Sequence, residues 1–161
     1  MPAVVTGFLI IVFTAGFILG MRVVLSPGIR WLGGVFLMLP GLGVGVTGIF
    51  TAERSTVGIH SAASSLGLLG AVVAFLIAGY RLRRDVRWRR WSTYSIVAGL
   101  TTLVLLAVEF LAANPRAPLA AAPIGGLVER ILVIELLAWY VAFGWRLFRG
   151  SPAEPPADAG R

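Results

Sequence analysis

Residues 81–91 read RLRRDVRWRRW. Arg81, Arg83, Arg84, Arg87, Arg89 and Arg90 stand here with a single acid, Asp85, between two long apolar runs. Hydrocarbon offers a guanidinium neither water nor an acceptor, so a segment this densely charged must face water or lipid headgroups. The flanking runs are each long enough to cross a bilayer core of about 30 Å at about 1.5 Å per residue. The segment is therefore read as the connection between two transmembrane helices. Its positive charge assigns it to the cytoplasmic side.

The rest of the composition agrees. Of 161 residues, 58% are hydrophobic and 13% charged, with a mean hydropathy of +0.90. A soluble domain of this length needs far more polar surface. The expected class is an all-α polytopic transmembrane bundle. The chain has no cysteine, which removes disulfides, thiolate metal sites and cysteine nucleophiles. All fourteen basic residues are arginine and the net charge is +7. Because these arginines lie beside apolar spans, the partner they imply is anionic membrane lipid rather than nucleic acid. No glycine-rich phosphate loop is present, since the clustered glycines lie inside a span and there is no lysine to serve one.

Five spans are expected, at about 3–23, 31–50, 57–80, 92–112 and 126–148, within one domain covering 1–149. The first lacks a basic leader and a small-residue cleavage site, so it reads as a span and not a signal peptide. Residues 150–161, GSPAEPPADAGR, read as a disordered cytoplasmic tail. Five spans put Arg22, Arg30, the six arginines of 81–91, Arg146, Arg149 and Arg161 on one side, and only Arg54, Arg116 and Arg130 on the other. The expected orientation is N-out and C-in, with Trp88, Trp91 and Trp145 at the inner interface.

Small residues mark the packing faces. In the second span Gly34, Gly41, Gly45 and Gly48 lie near one face, and Pro40 predicts a mid-span kink. Ser55 or Thr56 is expected to cap the next helix. The third span carries His60, Ser64, Gly67, Ala71, Ala74 and Ala78 in one continuous stripe, with Leu66 and Leu69 off it. In the fourth, Ser95, Thr102 and Glu109 recur every seven residues on one face.

Ionisable groups inside spans are costly and mark candidate sites. His60, Glu109 and Glu135 are the candidates for proton exchange or general acid–base work. Glu129, Arg130, Glu53 and Ser64 are candidates for binding. All fall in the outer half. Two readings follow: an outward-facing polar pocket, or polar pairs that lock the bundle, the second carrying more weight because membrane interiors retain such pairs as packing glue. With one histidine and no cysteine, no metal site and no cofactor are expected.

The chain also resembles the DUF998 family of bacterial and archaeal membrane proteins. The resemblance rests on GIF at Gly48–Phe50, His60 opening the next span, RRWSTYS at Arg89–Ser95, GLVER at Gly126–Arg130, Trp139, and WRL at Trp145–Leu147. The first span, VVTGFLIIVFTAGF at Val4–Phe17, is similar to the family's second. The resemblance covers roughly residues 4–149. It implies a multi-pass protein of a prokaryotic cytoplasmic membrane, shorter than six-span members by their first span, and with Glu53 and Arg54 where the family tends to have proline and aspartate. It carries no activity with it. The functional expectation is an integral membrane protein with a structural, partner-binding or lipid-binding role, in contact with membrane lipids and forming a homo-oligomer or binding a partner membrane protein. The alternatives are a membrane-embedded enzyme acting on a lipid-like substrate through His60, Glu109 and Glu135, and a small proton-coupled transporter.

Overall fold

The computed structural model describes residues 2–50, 58–113 and 125–150. Glu53, Arg54, Ser55, Thr56, Arg116 and the tail lie outside the described residues. Five α-helices make up nearly all of the rest: α1 Pro2–Gly20, α2 Pro27–Ile49, α3 Ile59–Leu82, α4 Arg89–Ala113 and α5 Gly125–Gly150. Each is long and apolar enough to cross a membrane. Each satisfies its backbone polar groups internally, which hydrocarbon requires. The helices run alternately up and down, each packs on its neighbour in the chain, and α5 returns to α1 to close the ring. The architecture is the five-span bundle that the hydropathy pattern calls for.

The helices reach further into the arginine segment than its charge suggests. Arg81 lies in the last turn of α3 and Arg89 and Arg90 open α4, so only residues 83–88 connect them, including a 3-10 turn at Val86–Trp88. Arginine is a good helix former whose stem can lie along a helix while its head stays in water. Asp85 sets the turn. Its Oδ1 accepts from the backbone N–H of Arg87 at 2.9 Å, and its Oδ2 accepts from the Arg87 guanidinium at 2.9 Å. The side-chain hydrogen bond to Arg87 holds the Asp85 carboxyl below the ordinary aspartate range.

Two helix starts also differ from expectation. Pro27 takes the first helical position of α2, after Ser26, because its missing N–H would find no partner there anyway. Before α3 the cap position is taken by Gly58, at φ 67°, and glycine adopts that left-handed geometry without a steric penalty.

α2 runs as one helix through Pro40. The carbonyl of Leu37 there accepts a hydrogen bond from the Tyr140 hydroxyl of α5 at 2.8 Å. Packing around this point depends on absent side chains. A Cβ at Gly7 would stand 2.5 Å from the Gly41 carbonyl oxygen, so α1 and α2 meet backbone to backbone. Gly34 and Gly48 also lie against α1. Gly45 backs the same contact with its backbone: its N and Cα would lie 2.9 and 3.1 Å from a Cβ on Gly7, while a Cβ on Gly45 itself would meet nothing within 4 Å. Four residues past Gly41 it has turned about 40° round the helix, while Gly34 and Gly48 stay within about 20° of it. On the next seam, a Cβ on Gly67 would lie 3.3 Å from the Cα of Pro40, and Ala71 and Ala74 are fully buried.

The centre is aromatic. Trp139 stacks on Phe75 at 4.2 Å and on Phe143 at 4.6 Å between ring centroids, with Phe17 beyond Phe143. Trp88 is buried against Phe143 and covered by the Arg146 guanidinium, 4.7 Å from its ring. Trp145 remains exposed, with Arg149 over it.

Candidate functional site

The polar side chains of α4 and α5 face each other along their shared seam. Nearest the arginine end, the Trp139 indole N–H donates to Ser95 Oγ at 3.0 Å. Further along, Thr102 Oγ1 and Glu135 Oε2 are hydrogen-bonded at 2.6 Å. Nearest the opposite end stands Glu109. Its Oε2 is buried and, among the described residues, has no hydrogen-bond partner. The seven-residue spacing of Ser95, Thr102 and Glu109 thus becomes one face of α4 turned toward α5.

At that opposite end two cavities lie side by side. One, of about 270 Å³, sits among α1, α2, α3 and α5, with Thr6, Thr47, His60, Ser64 and Glu129 among its walls. The other, of about 290 Å³, sits among α3, α4 and α5, with His60, Ser61, Ser64, Ser65, Glu109 and Glu129. His60, Ser64, Leu68 and Glu129 line both, so they form the partition between them. The polar groups come from the helix ends, while Leu132, Leu136, Pro40 and Leu106 make the deeper walls apolar.

His60 is oriented by α2. Its Nδ1 is 2.9 Å from the carbonyl oxygen of Phe50, and a carbonyl only accepts, so Nδ1 carries the proton in this contact.

The grouping of His60, Glu109 and Glu135 expected from the sequence is not the one that forms. His60 and Glu109 come together with Glu129. Glu135 lies about 9 Å further along α5, at about 1.5 Å per residue, and is engaged with Thr102. Glu129 and Glu135 are six residues apart, about 120° from a common face, so one helix cannot present both to His60. Arg130 is exposed at the same end and lines neither cavity. Glu53 lies outside the described residues. Thr6 and Thr47 were not singled out by the sequence, because each is one hydroxyl in an otherwise apolar span. Their place near helix ends on the His60 side was the available signal. Among the described residues no group of three His, Asp or Glu side chains could hold a metal ion.

The geometry can receive a ligand with a polar head and an apolar body. The family model for DUF998, described as a protein of unknown function, matches residues 1–146. The chain belongs to the DUF998 family. No curated protein and no solved structure matches it. This DUF998 chain therefore has its family from its sequence, and its candidate site from the two cavities and the carboxylates that line them.

Proposed function

We propose that this DUF998 protein binds an amphiphile, taking a donor-bearing headgroup, an amine or a hydroxyl, into the cavities at the His60 end. The observation that carries this reading is the shared wall of His60, Ser64 and Glu129 between two cavities whose deeper surfaces are apolar. Together the cavities reach the range of small-ligand sites, which pair an apolar lining with a few placed polar groups. Among the described residues no donor meets the buried Glu109 Oε2, and a buried acceptor without a donor is destabilising until one arrives. A headgroup ammonium supplies donors and charge together. The arginine bias supports an orientation in which these cavities face outward from a prokaryotic cytoplasmic membrane.

The test is thermal unfolding in detergent with phosphatidylethanolamine or phosphatidylcholine of the same acyl chains. The first headgroup has N–H donors and the second has none. The reading expects the first lipid to raise Tm by about 2–4 °C more than the second, the shift that about 1 kcal/mol of binding linkage gives at this size. It also expects Glu109→Gln to remove the difference. Equal shifts would count against it.

A further inference from the structure

A second cavity system lies at the other end of the molecule, on the seam where α5 closes on α1. A groove of about 550 Å³ runs between the two helices, with Phe13, Gly16, Leu19, Leu147 and Phe148 along it and Arg22 at its end. Its side chains other than Arg22 are apolar, and its one charged residue is that cation. The surroundings share that sign. Among the described residues this end of the bundle carries Arg22, Arg30, the six arginines of residues 81–90, Arg146 and Arg149, with Asp85 as the one acid. Asp85 is engaged by Arg87, so among the described residues this end keeps a large excess of positive charge.

From this we infer that the α1–α5 groove holds an acyl chain of an anionic phospholipid, with Arg22 meeting the lipid phosphate. Three observations converge on it. The side chains along the groove, Phe13, Leu19, Leu147 and Phe148, are apolar, so it suits a hydrocarbon chain better than a peptide with unsatisfied backbone groups. The cation stands at its end, at the arginine-rich level of the bundle, where the headgroups of the adjoining leaflet lie. Arg149 lies over the exposed Trp145 ring at 4.7 Å, and an exposed tryptophan on this helix end suits the same headgroup level. Arginine presents a planar fork of N–H donors that matches a phosphate bidentately. This site is separate from the His60 cavities and does not depend on the reading given to them.

The groove offers a clean variant. A Cβ at Gly16 would meet nothing within 4 Å, so Gly16→Leu places its side chain in the groove without displacing the packed seams. The experiment is native mass spectrometry of the protein in detergent, titrated with phosphatidylglycerol or with phosphatidylcholine of matched chains. Wild type is expected to retain phosphatidylglycerol in preference. Arg22→Gln should cut that preference about fivefold, the effect expected of one basic residue near an anionic headgroup. Gly16→Leu should lower phosphatidylglycerol retention with its helical circular dichroism unchanged. Both variants should leave the discrimination between phosphatidylethanolamine and phosphatidylcholine as in wild type. Equal retention of the two lipids by wild type overturns the inference. So does a phosphatidylglycerol preference that survives Arg22→Gln or Gly16→Leu but is lost in Arg83→Gln/Arg84→Gln, which would place the lipid on the arginine turn instead.

Discussion

Thr102 Oγ1 lies 2.6 Å from Glu135 Oε2 and 2.9 Å from the carbonyl oxygen of Ala98. A hydroxyl has one proton, and a carbonyl oxygen and a carboxylate oxygen are both acceptors. The Thr102 hydroxyl donates to Glu135 Oε2 and lies close enough to the Ala98 carbonyl to share that proton, so the side-chain contact joins α4 to α5 with Glu135 as acceptor. A glutamine amide oxygen can accept in the same way. Glu135→Gln should therefore leave thermal stability in detergent within about 0.5 kcal/mol, while Thr102→Val should cost about 1 kcal/mol, in line with interhelical hydrogen bonds in membranes. If Gln is as damaging as Ala at position 135, the acceptor role of Glu135 fails.

Trp139 is fully buried, stacked between Phe75 and Phe143, and hydrogen-bonded to Ser95. Removing the ring leaves a cavity at the centre of the bundle. Trp139→Ala should destabilise by about 3–5 kcal/mol, whereas Trp139→Phe keeps a stacking ring and should lose less than half as much. Reversible unfolding in mixed micelles measures both, and similar losses would show that the hydrogen bond, not the stack, dominates.

Leu66 and Gly67 are neighbours with opposite environments. Leu66 is 58% exposed on the outer surface of the bundle, while Gly67 is buried against the backbone of α2. Lipid solvates a leucine as well as the protein does, so the close approach at Gly67 matters more. Gly67→Leu should reduce expression and thermal stability far more than Leu66→Ala. Equal behaviour of the two would remove the small-residue seam as an organising contact.

The Asp85–Arg87 pair gives a pH dependence with a definite sign. The Asp85 carboxyl is held below its ordinary value by its hydrogen bond to Arg87, so its folded form binds a proton less readily than its unfolded form. Its contribution to the turn is complete above the ordinary aspartate value of about 3.9 and is lost as pH falls through the depressed value below it. Backbone amide exchange at Val86 and Arg87 should accelerate below that point in wild type, with no such step in Asp85→Asn. A step of the same size in the variant would assign the effect to another group.

The cysteine-free sequence allows the orientation to be measured directly. Val86 is exposed on the arginine turn, and a Cβ at Gly126 meets open space at the opposite end. With the N-terminus outside, a membrane-impermeant maleimide should label Gly126→Cys in intact cells and Val86→Cys only after permeabilisation. The reverse pattern would invert the bundle.

The fold was legible because its signal is redundant. Each span is a long apolar run, and five such runs with short connections leave few alternatives to a closed bundle. The faces were partly legible. The stripe through Gly67, Ala71 and Ala74 and the repeat of Ser95, Thr102 and Glu109 are helical periodicities, and both lie on packed seams. The partners across the seams were not legible, because period fixes which residues share a face but not the register between helices. Glu129 illustrates this: the sequence marks it as a binding candidate in the outer half, and only the register of α5 against α3 puts it on one wall with His60. Tyr140 reaching Leu37 is a contact between α5 and α2, far apart in the chain, which no local pattern encodes. The helix starts at Pro27 and Ile59 turned on single residues that can serve either as breakers or as first-turn residues.

The central claim is that the cavities around His60, Glu109 and Glu129 take a donor-bearing headgroup. Native mass spectrometry of the purified protein with phosphatidylethanolamine and phosphatidylcholine tests it most directly. The account predicts that wild type retains the ethanolamine lipid in preference, and that Glu109→Gln and Glu129→Gln each reduce the preference while Arg22→Gln does not. Equal retention of the two lipids by wild type, or a preference untouched by both glutamine variants, would contradict it.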